Sequence, residues 1–131
     1  MQLFRLLVSV LLVLVGLASQ SHAWEAEKWT KTNIALGTAA TVVHMLDWGT
    51  TLDIADKPTM YHEKAPFARA VIGEHPSRGD VNLFMASLLV AKLGIAHALP
   101  SKWRNYFFGA TIAVQGYWVV NNFRIGLRLN F

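Results

Sequence analysis

Between His44 and Ile54 the chain reads HMLDWGTTLDI, ionisable residues set in a run that is otherwise apolar. Gly37, Ala40, Thr41, His44, Asp47 and Thr51 recur at spacings of three and four, so a helix puts them on one small, polar face. A second apolar run carries Lys92 near its midpoint, and a third carries Gln115. A lone lysine at mid-membrane costs about 2.5–3.5 kcal/mol, so Lys92 calls for a partner. Asp47 is predicted to lie roughly 7 Å from it along the helix axis, a gap that a lysine stem covers. The pattern thus predicts a buried polar cluster of His44, Asp47, Thr51, Lys92 and Gln115. Its plainest role is to fix helix register and rotation, although proton and ion relays are built from the same groups. Asp53, near the inner end of the same helix, is expected to reach water by snorkelling.

The same residues admit a metal or hydrolytic reading. His44-x-x-Asp47 offers two ligands on one helical face, with Glu63 and His75 as further candidates and His62 and His97 behind them. Zinc takes three or four such ligands at about 2 Å. Against this, the chain has no HExxH motif, no Gly-x-Ser-x-Gly elbow and no Ser-His-Asp arrangement. Catalytic residues stay unassigned and no cofactor is predicted. Glu63 and His75 form a candidate loop site, each beside a proline-bearing turn. Hydrogen-bonded capping of that loop is the structural alternative.

Three apolar segments must position these groups, at about 33–55, 81–99 and 103–123. Each is near the length that crosses a hydrocarbon core. Pro100 ends the second, and the short turn LPSKWRN makes the last two antiparallel neighbours. The intervening loop, 56–80, has its own signals: Pro66 suits a first helical turn and Gly73 a helix stop, so Phe67 to Ile72 reads as a short interfacial helix. Ser77 with Asp80 reads as a capping box opening the next helix. Gly109, Ala113 and Gly116 make a small-residue face on the third segment, suited to self-association or to docking on other membrane proteins.

Composition agrees with a small membrane protein. The 131 residues are 53% hydrophobic and only 15% charged, enough for one domain. Cysteine is absent, which excludes disulfides, thiolate metal sites, a cysteine nucleophile and a lipoprotein anchor. The net charge of +4 is scattered, with no basic stripe for nucleic acid. Arg5, the apolar run Leu6 to Leu17 and SQSHA have the form of a cleavable signal peptide over 1–23. The mature chain, 24–131, then starts outside the cytoplasm; left uncleaved, the leader would add a fourth helix. Lys57, Lys64, Arg69, Arg78, Arg124 and Arg128 fall on the cytoplasmic side, against Lys28, Lys31, Lys102 and Arg104 outside. Trp24, Trp29, Trp103 and Tyr106 would form an outer aromatic belt.

The segments LDWGTTLDIA, YHEKAP, GEHPS, ALPSKWRN and VNNFRIGLRLNF together resemble a group of small, signal-peptide-bearing bacterial membrane proteins of unknown function. The group's pattern runs D-W-x-x-T, Y-x-E-x-N-P, G-x-H-P-S, an L-P turn with a following arginine, and N-x-x-x-G. Asp47, Trp48, Thr51, Tyr61, Glu63, Pro66, Gly73, His75, Pro76, Ser77, Leu99, Pro100, Arg104, Asn122 and Gly126 fit it, while Ala65 stands where the pattern has Asn. The resemblance implies a bacterial membrane protein and no particular activity; the inner membrane is expected from the signal peptide and the helical spans.

FRIGLRLNF alternates apolar residues in the manner of a strand. The upstream segments lack that alternation, and a membrane barrel needs at least eight strands. The expected fold is therefore an all-α transmembrane bundle of three spans, with a tail that can be extended. The expected role is structural, accessory or interactive. A metal-binding protein or hydrolase built on the Asp47/His44 face with Glu63 and His75, and a phage-like pore former, stay open as alternatives.

Overall fold

A computed structural model of the protein describes residues 27–131. The predicted signal peptide and Trp24 lie outside the described residues. Within them the chain is all-α, with no strand. Its helices are α1 (Lys31–Asp56), α2 (Pro66–Ile72), α3 (Arg78–Ala98) and α4 (Ser101–Arg124).

Local chemistry sets the helix ends. At the start of α1 the Thr30 hydroxyl accepts the Asn33 N–H at 3.1 Å, and the Asn33 side chain accepts the Thr30 N–H at 3.2 Å. Ser77 and Asp80 form the same reciprocal cap on α3, which satisfies backbone donors that have no partner inside the helix. Pro66 occupies the first turn of α2, where its missing N–H costs nothing. Gly73 ends α2 with φ 88°, a left-handed conformation that favours glycine.

α1 is the central helix: α3 and α4 both pack on it and touch each other little. Two apolar layers hold the bundle. Ala40, Ala96 and Phe108 fill the end near the α3–α4 turn. Leu52, Ala68, Val81, Phe84 and Met85 fill the other end, where α2 closes over the gap between α1 and α3. Between and beyond them lie buried polar groups, including His44, Thr50, Gln115 and Asn122.

After Gly126 (φ 93°) the C-terminus turns back along α1 as an irregular strap, despite its alternating sequence. The Asn130 N–H donates to the Gly49 carbonyl at 3.2 Å. A Cβ at position 49 would stand 2.9 Å from the Leu129 and Phe131 side chains, so glycine there lets the strap approach. The strap also corrects the expectation for Asp53. That residue is 3% exposed and does not snorkel to water. Its carboxylate accepts the Arg128 N–H at 3.0 Å and Lys57 Nζ at 2.8 Å, so it anchors the tail.

Among the described residues α3 alone is long and apolar enough, by composition, to cross a membrane. α1 and α4, at 26 and 24 residues, have the length, but their polar faces dilute the apolar content.

Candidate functional site

The structure brings His44, Asp47, Lys92 and Gln115 together at mid-height, from α1, α3 and α4. His44 is fully buried, and its Nε2 lies 3.0 Å from the Met85 carbonyl oxygen. A carbonyl only accepts, so Nε2 carries the hydrogen and Nδ1 is left as the acceptor. Lys92 Nζ and Gln115 Nε2 each reach that Nδ1 at 3.2 Å. Gln115 Nε2 also donates to Asp47 Oδ2 at 2.9 Å, and Gln115 Oε1 accepts from Lys92 Nζ. The orientation of the amide follows from its neighbours: an ammonium only donates and a carboxylate only accepts.

This arrangement alters two expectations. Asp47 and Lys92 do not meet as an ion pair; the ion pairs among the described residues are Lys57–Asp53, Arg69–Glu74 and Arg78–Asp56. The Gln115 amide stands between the two charges, because α4 reaches the same height on α1 as α3 does. Thr51, one turn beyond Asp47, is 1% exposed but takes no hydrogen bond among the described residues.

Thr51 instead borders a cavity of about 270 Å³, together with Asp47, Glu63, Gln115 and Asn122. Glu63 reaches it from the loop ahead of α2. Its Oε1 accepts the Ala65 N–H at 2.8 Å, and its own N–H donates to the Glu74 carbonyl at 2.8 Å. Burial pushes the Glu63 carboxyl above the usual carboxylate range. The Ala65 N–H opposes this, and the Asp47 charge adds to it.

Glu63 and His75 do flank α2, but they part company. Glu63 turns inward, while His75 is exposed and lies against His62 with ring centroids 6.4 Å apart. His97 is also exposed. Among the described residues no three His, Asp or Glu side chains gather closely enough to hold a metal ion. The proposed set of His44, Asp47, Glu63 and His75 is thus not assembled, and both ring nitrogens of His44 are already engaged.

The small-residue face is open. Gly109 and Ala113 are exposed, and a Cβ at Gly109 or Gly116 would meet nothing within 4 Å. Close helix approach inside the bundle occurs instead at Gly37, where a Cβ would stand 3.2 Å from Phe108.

Several polar anchors were not foreseen from sequence. Arg104, counted there as an outer charge, is fully buried. It donates to the carbonyls of Ala96 at 2.7 Å, His97 at 3.1 Å and Lys28 at 3.3 Å, and its guanidinium lies 5.1 Å from the Trp29 ring centroid. Trp29 therefore packs inward, whereas Trp103 and Tyr106, expected beside it in an outer aromatic belt, are exposed. The pointer was there: an arginine one turn past a Leu-Pro helix stop can reach back to the freed carbonyls. Asn33 ties α1 to α4 through the Ser101 carbonyl at 3.0 Å and Asn105 at 2.7 Å, and Asn122 donates to Thr50 at 3.0 Å.

Comparison with protein-family models, with curated proteins and with solved structures finds no match to this chain.

Proposed function

We propose that this is a small integral membrane protein whose α1, α3 and α4 span the bilayer, and whose role is structural, accessory or interactive. One observation carries the reading: the long helices turn large apolar side chains outward while much of the interior is polar. Large apolar side chains on all three long helices face outward, among them Val42, Val90 at 72% exposed and Val114 at 62%. The interior holds Asn33, His44, Thr50, Thr51, Arg104, Gln115 and Asn122. In water such an exterior would be a contiguous apolar patch of the kind that drives association. In lipid it is solvated, and hydrogen bonds between helices hold the bundle together with its two packed apolar layers.

The orientation follows the signal peptide and the charge bias. Ser101 faces the periplasm, while α2, its loop and Phe131 face the cytoplasm of a bacterial inner membrane. The resemblance to small bacterial membrane proteins supports the location. The outward Gly109, Ala113 and Gly116 face suits a second copy or another membrane protein. A reporter fused after Phe131 will behave as cytoplasmic and one inserted at Ser101 as periplasmic. The opposite result at both positions would reverse the orientation, and the same side for both would remove a span.

A further inference from the structure

A cavity of about 270 Å³ lies beside the polar cluster. Phe84, Met85, Leu88 and Trp118 are among the apolar side chains that make most of its wall. Two carboxylates, Asp47 and Glu63, border it at one side. Asp47 Oδ2 is held by Gln115 and Glu63 Oε1 by the Ala65 N–H. Among the described residues neither carboxylate has a cation at ion-pair distance. Lys92 lies behind the Gln115 amide, so the face turned to the cavity is acidic.

Thr51 points the same way independently. A buried threonine in a helix ordinarily bonds back to the carbonyl four residues earlier, as Thr41 does to Gly37 at 2.8 Å. Thr51 does not, although it is 1% exposed. No fully enclosed side-chain nitrogen or oxygen among the described residues lacks a partner, so the Thr51 hydroxyl opens onto the cavity it lines. The hydroxyl thus keeps its hydrogen-bonding capacity for whatever occupies the cavity.

We propose that this cavity binds a primary ammonium group on a small apolar body, the ammonium held by Asp47, Glu63 and the Thr51 hydroxyl. Three acceptors match the three N–H bonds of the group. The apolar wall takes the rest of the ligand, as in small-molecule pockets generally. A bare metal ion fits poorly, since the volume is too large and no three strong ligands gather. The ammonium could belong to a free alkylamine or to an aminophospholipid headgroup. The inference goes beyond the bundle's proposed role and does not depend on its orientation.

The test uses the full chain in a zwitterionic detergent, titrated calorimetrically with hexylammonium and, separately, with 1-hexanol. Hexylammonium will bind saturably and roughly tenfold or more tightly than the alcohol, the scale of a charge-assisted hydrogen bond. Glu63→Gln and Thr51→Val will each weaken the amine roughly tenfold. Because the fold does not use the Thr51 hydroxyl, Thr51→Val will melt no lower than the wild type without ligand, so it serves even if Glu63→Gln fails to fold. Displacement of the amine by phosphatidylethanolamine, but not by phosphatidylglycerol, would assign the site to the lipid headgroup. Absence of displacement would assign it to a free amine. Equal affinity for alcohol and amine, or undiminished amine binding in Thr51→Val, overturns the proposal.

Discussion

Gln115 lets two opposite charges share one buried site without touching. Its amide offers an acceptor to Lys92 and a donor to Asp47, while His44 fills the remaining lysine contact. Removing one member leaves the others short of partners, which costs more than the net worth of the bond itself. Asp47→Ala is therefore expected to destabilise the bundle by about 1–3 kcal/mol, and adding Lys92→Leu to recover much of that loss, read as unfolding in detergent. Strictly additive losses would mean that the two sites are not coupled. Glu63 predicts a pH effect. Its folded-state pKa is raised, chiefly by burial, so the folded protein holds this proton more tightly than the unfolded chain. Its contribution is fully present below the ordinary carboxylate value and is lost as pH rises through the folded value. Stability will fall with rising pH across that window, and Glu63→Gln will flatten the slope. The residue types and their common face could be read from spacing. The bridging place of Gln115 could not, because it depends on the relative heights of helices joined by distant turns.

At the scale of elements, the readable features are those written locally. The Ser77–Asp80 cap, Pro66 at the start of α2, Gly73 at its end and the stop at Pro100 are all within a few residues of what they control. The Thr30–Asn33 cap uses an asparagine in place of the usual Glu or Gln, so it lacks the ordinary sequence signature of a capping box. Long-range ties left weaker traces. Asp53 looks like an end-of-helix charge until the strap returns to it from residue 128. Arg104 looks like a surface cation until the α3–α4 turn brings it under the last carbonyls of α3. A lysine at that position has one point of charge where the guanidinium has a planar fork spanning several carbonyls. Arg104→Lys is expected to cost about 1.5–3 kcal/mol, seen as a lower melting temperature with fraying of the α3 C-terminus in hydrogen exchange. An unchanged melting temperature would show that the fork is not needed.

For the whole molecule, the central claim is that lipid solvates the outside of the bundle and hydrogen bonds organise the inside. Hydropathy alone brings out only α3 among the described residues, because α1 and α4 each give one face to the polar interior. A segment-by-segment scan averages the two faces, whereas the folded structure separates them. The absence of cysteine allows a direct measurement. Single cysteines placed at Lys102, Met60 and Val90, all exposed, would be probed with a membrane-impermeant maleimide in intact spheroplasts and again after lysis. The account predicts that Lys102→Cys labels in both, that Met60→Cys labels only after lysis, and that Val90→Cys labels in neither until detergent is added. Ready labelling of Val90→Cys from water, before or after lysis, would contradict it.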